Sequence, residues 1–195
     1  YNQWIIDHGR VGCLLNRIRL GDEVQEGEGQ MVIASFTNPM LEAFSHNRWN
    51  PSGDGSDIWD YFAMDGSLPD NLDETPAEPG EQIAGAIAIR FTLRPGKTRK
   101  IPFILAWDFP ITEFAQDIKY FRRYTDFFGR SGKNVWTLVR TALKHGDMWK
   151  EKIETWQKPI LEKPDLPSWL KMALFNELYL LAQGGTLWTP ATETD

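Results

Sequence analysis

Leu166-Pro-Ser-Trp-Leu-Lys-Met-Ala-Leu-Phe-Asn-Glu-Leu-Tyr-Leu-Leu-Ala-Gln-Gly-Gly185 reads as one helix, opened by Pro167 and closed by Gly184 and Gly185. Inside it stands Glu177. Its helical neighbours three and four residues away are Ala173, Leu174, Leu180 and Leu181, and no lysine or arginine is placed to pair with it. A carboxylate on so apolar a helix costs free energy unless the fold supplies partners. Carboxylates of this kind gather at active sites, which makes Glu177 a candidate catalytic residue. The ordinary alternative is a glutamate at the edge of a core helix, hydrogen-bonded elsewhere.

The residues before this run share its periodicity. Val135, Val139, Ala142, Gly146, Trp149, Ile153, Trp156 and Ile160 step by four and three, one stripe of a long helix. Arg140, Lys144, Lys150, Lys152 and Glu154 take the other faces, Gly146 loosens the middle, and Pro159 is expected to end or kink the helix. Glu162-Lys-Pro-Asp-Leu-Pro167 is short, so the two helices are expected to lie antiparallel. The second is apolar nearly all round and needs burial on more than one side. Two helices cannot provide that, so this half reads as unfinished, and a chain opening at Tyr1 without methionine reads as an excised piece.

Upstream the period changes to two. Ile83, Gly85, Ile87, Ile89, Phe91 and Leu93 alternate with more polar positions near the end of the run. Arg94-Pro-Gly-Lys-Thr98 then predicts a hairpin turn into Ile101-Pro-Phe-Ile-Leu-Ala-Trp107, with Pro102 marking an edge or a strand start. Met31-Val-Ile-Ala-Ser-Phe36 is a further short strand, and the polar stretches 47–55 and 65–80 read as solvated loops. The expectation is a mixed fold, with antiparallel sheet before about residue 110 and helices after about residue 132.

Composition narrows the function. Nine tryptophans and eleven phenylalanines suit sugar-stacking surfaces as well as cores. A net charge of −6 argues against a nucleic-acid partner, whose phosphates need a basic stripe. Cys13 is the only cysteine, so no intrachain disulfide forms and a reducing, cytoplasmic location is expected. No stretch reaches the roughly 18 apolar residues of a spanning helix. His8, His46 and His145 lack metal-ligand spacing, so no metal or other cofactor is expected. Gly53-Asp-Gly-Ser-Asp57 misses a serine-nucleophile elbow, and its neighbourhood does not follow calcium-loop spacing. Gly27-Glu-Gly is too acidic to cradle phosphate, and Asp108 before Phe109-Pro110 reads as a turn former. Trp188, shortly after Gly184-Gly185, is a candidate sugar-stacking wall, with core packing as its ordinary reading.

Four stretches carry a resemblance in chain order: Asn50-Pro-Ser-Gly-Asp-Gly-Ser-Asp57, Phe103-Ile-Leu-Ala-Trp-Asp-Phe-Pro110, Arg123-Tyr-Thr-Asp-Phe-Phe-Gly129, and the run from Leu170 to Trp188. Together they resemble the non-lysosomal glucosylceramidase and bile-acid β-glucosidase family, glycoside hydrolase family 116. The resemblance implies an N-terminal β-sandwich followed by an (α/α)₆ barrel. On that division residues 1–112 belong to the sandwich, 113–131 to a linker, and 132–195 to the first helical hairpin of the catalytic domain. It further implies that Glu177, in Asn-Glu-Leu-Tyr, is the nucleophile of a retaining β-glucosidase acting on a β-glucoside or glucosylceramide. The family's acid/base aspartate is expected beyond Asp195, so the chain is expected to need the rest of the catalytic domain as its partner and to be inactive alone. Gln183 departs from the aspartate expected before Gly-Gly-Thr, which puts one sugar contact in doubt. Two other readings stay open: a non-catalytic sandwich-plus-helix binding or scaffolding module, and an inverting (α/α)₆ enzyme, whose carboxyl groups would stand roughly 6.5–9.5 Å apart.

Overall fold

In a computed structural model, the structure describes residues 1–17, 23–113 and 118–178 and the backbone of 188–190. The chain order is β1 (Asn2–Asp7), β2 (Arg10–Arg17), β3 (Gly29–Phe36), β4 (Glu42–Trp49), α1 (Ser56–Asp65), β5 (Ala84–Arg90) and β6 (Ile104–Asp108). Then follow β7 (Ile111–Glu113), β8 (Lys119–Arg122), α2 (Thr125–Phe128), α3 (Val135–Leu161), α4 (Ser168–Asn176) and β9 (Trp188–Pro190). Among the described residues the strands form three antiparallel sheets, ordered β1-β2-β3-β6, β4-β5 and β7-β8-β9.

The four-stranded sheet has two covered faces, and alternation along its strands decides what each one meets. Leu14, Val32 and Ala34 share one face with the partly buried Ile5, Ile104 and Ala106, and they pack against Val135 and Val139 of α3. The opposite face carries Cys13. A Cβ on Gly85 of β5 would lie 2.3 Å from the Cys13 sulfur, so only glycine allows the two-stranded sheet to sit this close. Asn2 donates to the Asn47 carbonyl across the same gap (2.8 Å). The result is three layers: β4-β5, the four-stranded sheet, and the first turns of α3.

Strand pairing departs from the sequence expectation. The turn after Leu93 is present, with the Lys97 amide donating to the Arg94 carbonyl at 3.1 Å, but it joins two different sheets. β5 pairs with β4, placing Ile89 opposite Ala43, while β6 pairs with β3, placing Asp108 opposite Gln30. Alternation reveals which face of a strand is apolar and is silent about its neighbour, so a hairpin and a crossover look alike in one dimension. Pro102 does mark an outer strand, since β6 closes its sheet.

The helix α1 is a second departure, standing where sheet and loops were expected. It follows the Asp54 carboxylate, which accepts from the Ser56 amide (3.0 Å) and hydroxyl (2.7 Å), and it buries none of its own residues. Trp59 and Phe62 pack on each other along its exposed surface, ring centroids 5.7 Å apart. Of the stretches expected as solvated loops, 47–49 instead end β4 with Asn47 fully buried, and Leu68 is buried as well. Behind α1, His46 is buried, with Nδ1 and Nε2 lying 2.8 and 2.9 Å from the carbonyls of Pro69 and Arg48.

The segment 113–131, expected as linker, contains the last residue of β7, the strand β8 antiparallel to it and the single turn α2. β9 pairs with β8, placing Trp188 opposite Arg122, so a strand also follows the helices. α3 runs unbroken past Gly146 and ends two residues after Pro159. Only the first part of its apolar stripe is covered: Val135 and Val139 are fully buried, whereas Trp149, Ile153 and Trp156 are exposed. α4 touches α3 through Phe175, edge-on to Trp156 with centroids 5.2 Å apart, and through Lys171, whose Nζ donates to the Leu161 carbonyl at 2.7 Å. These contacts join the end of α3 to α4 in the register of a hairpin. No residue of α4 is buried.

Candidate active site

Glu177 stands at the C-terminal end of α4. Its backbone keeps helical angles (φ −60°, ψ −26°), and its amide donates to the Ala173 carbonyl at 3.1 Å. The next amide, that of Leu178, reaches only three residues back, to Phe175 (3.2 Å). The last turn therefore tightens, and α4 closes at Asn176, while Gly184 and Gly185, the expected stop, lie outside the described residues. The Glu177 side chain is exposed, and among the described residues no cation or hydrogen-bond donor holds its carboxylate. Its surroundings are apolar, with Trp169, Met172, Leu174 and Leu178 all exposed on the same helix. Of Trp188 the structure describes only the backbone, in β9, and Gln183 lies outside the described residues.

The segment 50–57 lines a cleft of ≈ 590 Å³ with Arg48, Trp49 and Glu81. Arg48 is tied down: its Nη2 donates to the Glu81 carboxylate, 2.6 Å from each oxygen, and its Nη1 to the Thr75 carbonyl at 2.8 Å, which holds the Glu81 side of the cleft to the end of β4. An apolar groove of ≈ 280 Å³ lies where Leu105 and Trp107 of β6 meet Phe128, Leu138 and Trp149. Glu177 lines neither. Among the described residues no group of three or more histidine, cysteine or acidic side chains is arranged to hold a metal ion. No described helix is long and apolar enough to cross a membrane.

Two carboxylates do work that sequence reading missed. Asp108, expected to form a turn, is fully buried. Its Oδ1 accepts from the Tyr124 hydroxyl at 2.6 Å, and its Oδ2 accepts from the amide of Asn134, the residue that caps α3 at its start, at 2.7 Å. Burial first, and then the bond to Asp108, push the Tyr124 phenol above its ordinary range. Asp7, at the end of β1, accepts from His8 Nδ1 (2.7 Å), Arg140 Nε (2.8 Å) and Trp136 Nε1 (3.0 Å). These donors, His8 foremost, hold its carboxyl well below the usual carboxylate range. No local pattern could have found either role, because the decisive partners lie on other elements.

The fold thus defines a mixed α/β protein in which antiparallel sheets share a core with the first turns of a long helix, and that helix leads to a second one ending at a carboxylate that is unpaired among the described residues. A family model described as beta-glucosidase 2, glycosyl-hydrolase family 116 N-terminal, matches residues 1–149, and the chain belongs to this glycoside hydrolase family. The match runs through the packed part of α3; Glu177 and Trp188 lie beyond it.

Proposed function

We propose that the chain is part of a retaining β-glucosidase in which Glu177 is the nucleophile. The observation that carries this reading is an exposed carboxylate, unpaired among the described residues, at the end of an apolar helix in a chain of glycoside hydrolase family 116. In a double displacement, one Glu177 oxygen attacks the anomeric carbon while a second carboxyl group, about 5–5.5 Å away, protonates the departing glycosidic oxygen. Water then opens the glycosyl ester, and the second group, now a carboxylate, takes the proton of that water. The second group is the aspartate that the family resemblance implies. Glucosylceramide and simpler β-glucosides are the proposed substrates, a reducing compartment the proposed location, and Trp188 a proposed sugar-facing aromatic.

The facing layers of sheet support a β-sandwich, and the exposed apolar side chains of α3 and α4 support a first helical pair awaiting neighbours from an (α/α)₆ barrel. The proposed division remains sandwich to residue 112, connection to 131 and catalytic domain from 132, with the first turns of α3 docked on the sandwich.

The test is chemical. In the intact enzyme, a mechanism-based fluoroglucoside should become attached to the peptide containing Glu177. Glu177→Gly should remove nearly all turnover and keep the fold, and azide should restore turnover by giving a glycosyl azide of inverted configuration. Labelling of another carboxylate, or near-normal turnover by the variant, overturns the assignment of Glu177, and no turnover by the intact protein returns the chain to the reading as a binding module.

A further inference from the structure

We infer that Asp108 is a positioning residue for Glu177, a reading that rests on the function proposed above. The carboxylate sits at the end of β6, the outer strand of the four-stranded sheet, and is sealed from solvent. Its two oxygens face in different directions. One takes the Tyr124 hydroxyl (2.6 Å), which fixes the segment entering α2, and the other takes the Asn134 amide (2.7 Å), which fixes the residue capping the start of α3. The chain around the joint is built for close approach. A Cβ on Gly29 would lie 2.1 Å from the Asp108 carbonyl oxygen, so the strand β3 can only reach this point as glycine, and Pro110 is fully buried beside it.

The carboxylate meets α3 where its backbone amides lack partners within the helix, and a negative charge there is favoured. Beyond this point the first half of α3 meets the sheet: Leu138 and Leu143 pack against the core, and Trp149 shares a groove with Leu105 and Trp107. Val135 and Val139 fill the core, and Trp136 and Arg140 are held by Asp7. The rest of the helix leaves the sheet, and its end carries α4 through the Trp156–Phe175 contact. Phe175, two residues before Glu177, rests on Trp156, and the helix from Leu143, which packs against the core, to Trp156 is a lever of about 20 Å. Tilting it by about 5° would displace the Trp156–Phe175 contact by about 1.7 Å, and a misplacement of about 1 Å can cost about 10²-fold in rate. Asp108 thus sets the origin and direction of the element that presents Glu177, while making no contact with the reacting atoms.

Two measurements together test this. Nitroxide labels at Ile6→Cys on β1 and Thr155→Cys late on α3 report the angle between sheet and helix, and labels at Ile6→Cys and Leu105→Cys report the sheet alone. Cys13 is buried and stays unlabelled. Asp108→Ala should shift or broaden the first distance and leave the second unchanged. In the intact enzyme it should lower kcat by about 10²-fold at a KM within about twofold. Asp108→Asn, whose amide can still accept from Asn134 and donate to Tyr124, should restore most of both. If Asp108→Ala does not fold, Tyr124→Phe takes its place, since it removes one donor and keeps the ring. An unchanged Ile6–Thr155 distance overturns the inference, as does a shifted distance with normal kcat in an enzyme that Glu177→Gly inactivates. Normal turnover by Glu177→Gly overturns the nucleophile reading instead, and the distances then judge the joint alone.

Discussion

The indole Nε1 of Trp136 donates to the Asp7 carboxylate across 3.0 Å, joining a hairpin end and a helix 129 residues apart in sequence. Arg140, one helical turn further on, donates to the same oxygen at 2.8 Å. The turn before Asp7's partners is shaped by His8 and Gly9, both at positive φ (47° and 76°), which bring β1 and β2 together in a two-residue hairpin and leave Asp7 facing α3.

Stability should therefore depend on pH through Asp7. Its folded-state pKa lies below the ordinary value of about 3.9, so its contribution is fully present above that value and fades as pH falls through the folded-state pKa. Thermal midpoints of the native chain and of Asp7→Asn should differ most near neutrality and converge below about pH 4. Equal separation at pH 7 and pH 2 would show that the carboxylate does not hold α3.

Along the single apolar stripe of α3, equal-looking residues should behave unequally. Val139→Ala removes buried methyl groups from the core shared with Leu14 and Val32 and should cost about 1.5–3 kcal/mol. Trp156→Ala deletes a larger side chain that is 56 % exposed and meets Phe175 edge-on, and it should cost about 1 kcal/mol or less. Denaturant unfolding of the two variants decides this, and a larger loss for Trp156→Ala would contradict the packing described.

Gly85→Ala should destabilise by about 1–3 kcal/mol, because its methyl group meets the Cys13 sulfur at 2.3 Å between the two sheets. Adding Cys13→Ala should recover part of that loss. A double-mutant cycle measures the coupling, and simple additivity would mean that the clash is relieved some other way.

Burial pushes the Cys13 thiol up to about 11, so little thiolate exists at pH 8. Iodoacetamide should leave the folded chain unmodified at that pH and alkylate Cys13 once urea unfolds it. Rapid alkylation without denaturant would place Cys13 at the surface.

Much of the fold was written locally. The period-two run marked β5, the short apolar runs marked β3 and β6, and the four-three stripe gave α3 its length, because composition, alternation and helical spacing are properties of neighbouring residues. Pro102 announced an outer strand for an equally local reason: it has no amide to donate. The helix α1 escaped because its aromatic residues are exposed and present no core-facing stripe. The candidate site was legible only as a residue in a motif. Glu177 stood out by its apolar neighbours, while its exposure and the tightened turn at Leu178 depend on how α4 meets α3.

By itself, then, the sequence determined two regimes of structure, the family-like words that run through both, and the one carboxylate set on an apolar helix. The tertiary structure alone decided that β5 and β6 part into different sheets, that Asp108 is a buried joint and no mere turn, and that only the first turns of α3 belong to the core. The physical reason is one of range. Periodicity, capping and turn chemistry act over a few residues, whereas strand partners, shared carboxylates and the covered length of a helix are settled between segments that meet only when the chain has folded.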